Sequence, residues 1–351
     1  MAKLQLPVEP HFPALAVSAW PISERAVIEN SSFYAKALVA AAGRGPDSKP
    51  LLTVFMTSKG APDELAWDSG QLPCYQFPEN AARALAHAVR YGAWRSRPQR
   101  PSPLLTGLRR DHAKAVVAGA LGNEPLWLSP AAVAEVLACY GIPAARQTTA
   151  ATAGEVATAA AAIGGPVALK AVAPGLVHKT EAGAVALGLE RPDEAVSAAL
   201  AMEQRVRAAG HVVTGFIVQE MVGDGIEMMA GVTHDPQFGP VIACGAGGTL
   251  IELLKDITVR LSPLTAADAE EMVQGLKTAP LLAGYRGSPP CDAAALQDIL
   301  LRVSAMAEDL PQIVEMDLNP IMVRQQGAIV IDARIRVEAP PPPLPLSARR
   351  R

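Results

Sequence analysis

From about residue 125 to residue 338 the chain alternates short apolar runs, bounded by Gly, Pro or Ser, with alanine-rich stretches of helical spacing. Several of those runs follow one another with no helix between them. A doubly wound parallel sheet needs a crossover helix after each strand, so this stretch reads as an α+β pattern with short sheets and not as one long βαβ series. The runs read as strands are Val167-Ala168-Leu169-Lys170, Ala184 to Leu189, Val212 to Glu220, Ile226 to Thr233, Val241-Ile242-Ala243, Ile313 to Val323 and Ala328 to Ala333. Ser129 caps a helix that begins at Pro130 and runs to Cys139, and Thr152 caps another to Ile163. Further helices are expected at Pro192 to Ala208, 265–276 and 292–309, and no internal repeat is found. Half of all residues are apolar and few are aromatic, so the core must be mostly Ala, Val, Leu and Ile.

Two composition breaks divide the rest. Residues 94–107 are rich in Pro, Arg and Ser and read as an exposed linker, which we extend to 94–124. Residues 339–351 form a proline-rich tail with a basic end, expected to be disordered. Before the linker, residues 10–93 read as helix (Ser23 to Ala42), strand (Leu51 to Met56), helix (within 62–70), strand (Pro73-Cys74-Tyr75) and helix (Glu79 to Tyr91). That is half of a doubly wound α/β sheet, short for an independent domain. A net charge of −3 leaves no basic footprint for nucleic acid. No apolar run reaches the roughly 18 residues of a membrane span. Four scattered cysteines without a CxxC argue against a disulfide framework or a zinc site and suit a reducing cytoplasm.

Five motifs carry chemistry. Lys170 ends a strand, where a fixed cation can meet nucleotide phosphates; taken alone it reads more readily as a lysine leaving the strand for solvent. The segment Pro174-Gly175-Leu176-Val177-His178-Lys179-Thr180-Glu181-Ala182-Gly183 joins a flexible loop to a histidine, a lysine and a carboxylate. His178 is suited to accept a phosphoryl group and Glu181 to hold its ring; a polar surface hairpin explains the same residues as well. The strand Phe216 to Val222 can stack an adenine, with backbone groups of Glu220, Met221 and Val222 on its edge and Glu227 on ribose hydroxyls. Gly245-Ala246-Gly247-Gly248-Thr249 lets backbone approach an anion, yet it is neither GxGxxG nor a P-loop. Glu252 and Asp256 follow it at helical spacing i, i+4, on one face. The most specific motif is Glu315-Met316-Asp317-Leu318-Asn319-Pro320 with Val330-Ile331-Asp332-Ala333-Arg334. Alternation puts Glu315, Asp317 and Asn319 on one strand face, and a hairpin brings Asp332 beside Asn319. A carboxylate and an amide oxygen suit magnesium shared with phosphate.

The order of these motifs resembles the ATP-grasp domain of the ADP-forming acyl-CoA synthetases, the superfamily of acetate–CoA ligase (ADP-forming) and succinyl-CoA synthetase, over residues 125–338. The resemblance implies an α/β chain whose C-terminal part is an ATP-grasp fold of two α+β subdomains, preceded by a small flavodoxin-like α/β subdomain at 10–93. It implies ATP or ADP and Mg2+ as ligands. Lys170 would lie on the phosphates, Gln219 to Val222 on adenine, Glu227 on ribose, Gly247 and Gly248 on the glycine loop, and Asn319 and Asp332 on the metal. His178, with Lys179 and Glu181, falls on the family's phosphohistidine loop. There Glu181 replaces Asp and Ala184 replaces a second Gly. The family's CoA-binding Rossmann domain and first phosphohistidine are not found in these residues. The implied partner is therefore a CoA-binding subunit, through which CoA and a small carboxylic acid enter, and an oligomer is possible. A non-catalytic or regulatory nucleotide-binding module derived from such an enzyme is the alternative. A stand-alone ATP-grasp ligase is a third reading, disfavoured because no acceptor-binding domain is evident.

Overall fold

The computed structural model describes residues 24–42, 50–56, 60–67, 70–96, 104–122, 124–173, 183–248 and 255–338. The chain divides into two compact units, Met1–Gln99 and Arg100–Arg351.

In the first unit, helix α1 (Glu24–Ala41) precedes strand β1 (Thr53–Val54), which pairs in parallel with β4 (Cys74–Tyr75); helix α2 (Pro78–Arg95) follows. The core is small: Ala35, Leu65 and Leu72 are buried, with Leu38, Val39, Leu51, Phe55 and Cys74 against them. The helix expected within 62–70 is instead one 3-10 turn, Asp63–Leu65, and a hairpin of β2 (Ala66–Trp67) with β3 (Gly70–Gln71). A helix that short cannot repay its nucleation, and burying Leu65 needs only the single turn.

The second unit contains two antiparallel sheets. The larger runs in the order β12-β11-β10-β13-β15-β5, with β14 also on β13. Its strands are β5 (Leu126–Trp127), β10 (Ile226–Asp235), β11 (Gly239–Ala246), β12 (Ile257–Leu261), β13 (Ile313–Val323), β14 (Ala328–Val330) and β15 (Ala333–Val337). One face joins α3 (Arg110–Ala120), α4 (Pro130–Cys139), α7 (Ala266–Gln274) and α9 (Ala293–Asp309) in a core that includes Met228, Ile242, Leu300, Met316 and Leu318. Between α7 and α9 lies the short helix α8 (Ala279–Leu282). The smaller sheet, β6-β9-β7-β8, is built from β6 (Gln147–Ala150), β7 (Val167–Val172), β8 (Val185–Leu189) and β9 (Gly215–Glu220). Helices α5 (Ala153–Ile163) and α6 (Pro192–Ala208) cover one face of it. The expected caps form: Ser129 Oγ accepts from Ala132 N at 3.3 Å and Thr152 Oγ1 from Glu155 N at 3.4 Å.

Three expectations are corrected here. The stretch read as linker over 94–124 contains α3, whose Ala113 and Val117, spaced i, i+4, are fully buried in the large-sheet core. Its Arg110, read as solvated linker charge, binds Asp309 Oδ2 at 2.6 Å. The final strand is two strands broken at Ile331–Asp332. Asp256, placed beside Glu252 on a helix face, instead precedes β12; Glu252 lies outside the described residues. The Asp256 carboxylate is buried and accepts from Lys277 N, Thr278 N and Thr278 Oγ1, each at 2.8 Å. Burial pushes its pKa up, but these donors outweigh it and hold the group below the usual carboxylate range. The stability that Asp256 adds is therefore present above that range and lost as pH falls through the lowered value. Asp256→Ala strands three buried donors and is expected to cost about 3 kcal/mol, or roughly 10 °C in Tm by thermal denaturation at neutral pH.

All four cysteines are free, with Cys139 and Cys244 buried. Among the described residues no helix is long and apolar enough to cross a membrane.

Candidate functional site

Alternation along β7 and β9 gives the small sheet two unlike faces. Val167, Leu169, Ala171, Phe216 and Val218 turn into the core with α5 and α6. Lys170, Ile217 and Gln219 turn the other way, onto a cleft of about 450 Å³ whose far wall includes Ile331, Asp332 and Arg334. Lys170 Nζ lies 3.8 Å from Asp332 Oδ2. The lysine side chain is 13% exposed and the aspartate 47%, so the carboxylate stands at the open side of the pair.

The break between β14 and β15 is what aims Asp332. Ile331 N donates to Pro320 O at 2.9 Å and Asn319 N to Asp332 O at 3.0 Å, which holds the break against β13. Gln219, buried at 3% exposure, donates from Nε2 to Ile331 O at 2.7 Å across the cleft. Along β13, Met316 and Leu318 are buried while Glu315, Asp317 and Asn319 take the opposite face, as the alternation requires. Asn319 Oδ1 accepts from Gly248 N at 3.2 Å. Gly247 N in turn donates to Glu227 O at 2.8 Å. Gly248 has φ +61°, and a Cβ there would run into the Glu227 carboxylate; one on Gly247 would come within 2.6 Å of Met228 O. Only glycine fits either position. Ion pairing, hydrogen bonds and the shared cleft thus link Lys170, Gln219, Glu227, Gly247, Gly248, Asn319 and Asp332 into one neighbourhood.

Glu220 serves differently from the charge its position suggests. Its Oε1 accepts from Arg146 N at 2.8 Å and its Oε2 from Arg146 Nε at 2.7 Å. Burial raises its pKa, but the Arg146 backbone N–H and guanidinium outweigh that and hold it below the carboxylate range. With Glu220 N on Arg146 O and Met221 N on Pro166 O, both at 2.9 Å, the segment up to Met221 is pinned by its backbone. His178, Lys179 and Glu181 lie outside the described residues. Arg146 and Arg334 were not singled out from sequence. Arg334 was findable, because it stands two positions after Asp332 and opposite Asp317 on β13. Asp317 is pushed above its usual pKa by burial, opposed by Arg334 and reinforced by Asp332 and Glu315.

The residues present fit magnesium. Asn319 Oδ1 and the Asp332 carboxylate are hard oxygens on hydrogen-bonded neighbouring backbones, and this ion commonly takes one or two protein carboxylates with phosphate oxygens and waters. Lys170 beside them supplies a fixed cation.

The model of a family described as the ATP-grasp domain matches residues 119–337. The chain is 35% identical over 270 residues to the acetate–CoA ligase (ADP-forming) I of Archaeoglobus fulgidus, covering 76% of this chain and 39% of that protein. It is 39% identical over 215 residues to the β subunit of acetate–CoA ligase (ADP-forming) I of Pyrococcus furiosus, covering 61% of this chain and 92% of the subunit. A solved structure of the acetyl-coenzyme A synthetase 1 of Ca. Korarchaeum cryptofilum has coenzyme A and Mg-AMPPCP bound, with its phosphohistidine segment pointing towards the nucleotide site. That structure superposes with TM-score 0.54 at 34% identity, over 60% of this chain and 93% of that one. The cleft between two antiparallel sheets, with Lys170 and Asp332 on its walls, and the match over 119–337 lead to one assignment: the chain belongs to the ATP-grasp family and corresponds to the ATP-grasp part of proteins like the ADP-forming acetate–CoA ligases.

Proposed function

We propose that the chain is the nucleotide-binding, β-like part of an ADP-forming acyl-CoA synthetase, which interconverts acid + CoA + ATP with acyl-CoA + ADP + phosphate. The observation that carries this reading is the meeting of Lys170 with Asp332 across the cleft, beside Asn319. Lys170 holds the α and β phosphates. The backbone of Glu220, Met221 and Val222, pinned as far as Met221, meets the adenine edge, Glu227 the ribose hydroxyls, and Gly247 and Gly248 give close backbone approach. Asn319 and Asp332 hold Mg2+, which when bound neutralises charge on the phosphates. In the ATP-consuming direction a ring nitrogen of His178 attacks the γ-phosphorus. The N–P bond forms as the bond to the bridging oxygen breaks, and that electron pair leaves on ADP. Glu181 holds the ring and Lys179 adds positive charge.

The acid and CoA are handled by a separate CoA-binding subunit. The relatives divided into subunits support this, since the chain spans 92% of a β subunit but 39% of the longer Archaeoglobus protein. So does the first unit: Phe33, Phe77, Tyr91 and Trp94 are at least half exposed there, a surface that suits burial against another chain. We assign residues 10–93 to the ligase region that precedes ATP-grasp in fused relatives. A match over 304 residues to the acetate–CoA ligase of Methanocaldococcus jannaschii, longer than the ATP-grasp model, supports this.

The test is incubation with γ-32P-labelled ATP and magnesium, wild type against His178→Ala. Acid-labile label on the wild type and none on the variant is expected. An unlabelled wild type defeats the phosphohistidine, and nucleotide binding without label or turnover, alone or with the CoA-binding subunit, would favour a regulatory module.

A further inference from the structure

We infer that Gln219 is a positioning residue, which sets Asp332 for the metal through the backbone of Ile331 rather than reading the adenine itself. The inference rests on the assignment of Asn319 and Asp332 to magnesium.

The break between β14 and β15 takes Ile331 and Asp332 out of the sheet ladder. A carbonyl freed in this way inside the protein must find another donor or pay for its lost solvation. Gln219 is that donor. Its amide crosses from the small sheet to Ile331 O at 2.7 Å, bridging 112 positions of sequence. A carbonyl acceptor fixes which end of the amide points there, because only the NH2 group can donate. From Ile331 the connection continues without a gap. Ile331 N donates to Pro320 O, Asn319 N to Asp332 O, and Gly248 N to Asn319 Oδ1, at 2.9, 3.0 and 3.2 Å. Both proposed metal ligands and the glycine loop are therefore held by one run of hydrogen bonds that begins at Gln219. At its other end Gln219 adjoins Glu220, whose carboxylate Arg146 has taken. The side chain is buried and already engaged, so the base is left to backbone groups.

Partners that orient metal ligands typically contribute about 10–100-fold to metal affinity. The experiment measures ADP affinity by calorimetry with saturating magnesium and again in EDTA, for wild type and Gln219→Met, which keeps the length and loses the donor. In the wild type magnesium should tighten ADP. In Gln219→Met about 10-fold of that tightening should disappear, with the affinity in EDTA unchanged. Gln219→Glu keeps the shape and sets a carboxylate against Ile331 O; it should lose at least as much, and it carries the test if the methionine variant does not fold. Full retention of the magnesium effect in a folded variant overturns the inference. Equal weakening with and without magnesium also overturns it, because Gln219 would then be touching the nucleotide. A wild type whose ADP affinity ignores magnesium removes the metal assignment of Asn319 and Asp332, and this inference with it.

Discussion

Asp332→Ala is expected to abolish magnesium-dependent nucleotide binding, raising the Kd for Mg-ADP or Mg-ATP by about 100-fold or more. A direct ligand should matter at least as much as the outer partners whose loss costs about 10–100-fold. The sign reverses without the ion. In EDTA the Asp332 carboxylate opposes the phosphates and draws on the charge of Lys170, 3.8 Å away. The variant should then bind nucleotide as well as the wild type or slightly better. Titration calorimetry under the two conditions reads both effects, and unchanged affinity in magnesium would reduce the carboxylate to a solvated surface group. A thermal melt of the variant separates loss of stability from loss of binding; the carboxylate removed is half exposed and 3.8 Å from the lysine, so its pair is expected to contribute about 1 kcal/mol or less.

Lys170→Met should weaken ATP and ADP by about 30–100-fold and leave adenosine nearly unaffected. The lysine side chain is only 13% exposed, so its charge is poorly screened by solvent, and a charge-assisted hydrogen bond of about 2–3 kcal/mol converts to that range. Competition of ADP, AMP and adenosine against a fluorescent nucleotide separates the outcomes. Uniform weakening of all three would mean that Lys170 shapes the cleft rather than holding phosphate. Lys170→Arg is a poor rescue, since a planar fork does not replace a point charge held within strand β7, which runs on to Val172 beyond the expected strand end at Lys170.

Much of the second unit was legible because its signals are local. Pro192 to Ala208 and Ile313 to Val323 form with the expected bounds, the first opening on Pro192 and the second as a long apolar run that alternates from Glu315 to Asn319. The grouping of Lys170, Asn319 and Asp332 was also legible, though only as an ensemble, since each residue alone reads as surface. What escaped depends on distant partners. Nothing near Ile331 announces that the last strand breaks there, because the donor for its carbonyl is Gln219, 112 positions away. The clamp on the Glu220 carboxylate, Arg146, lies 74 positions upstream and could not be read from the segment around Glu220. The α3 helix hid in a segment flanked by Pro, Arg and Ser, and only tertiary packing turns Ala113 and Val117 inward. Strand β12 was missed because its outer row, Ile257, Val259 and Leu261, alternates with Thr258 and Arg260 over only five residues.

Half of the residues buried beneath the small sheet are alanine, among them Ala160, Ala171, Ala195 and Ala199, whereas the large sheet covers many Leu, Ile, Val and Met side chains. A methyl group removes far less apolar area from water than a branched side chain, so the small lobe gains less from each ordered residue. Local openings draw on the weakest cooperative unit of a fold. The wall that carries Lys170 and Gln219 is therefore the one that can breathe while the wall that carries Asn319 and Asp332 stays intact. In the proposed function, a nucleotide enters and leaves by loosening one side of the cleft, while the side chains assigned to the metal keep their register.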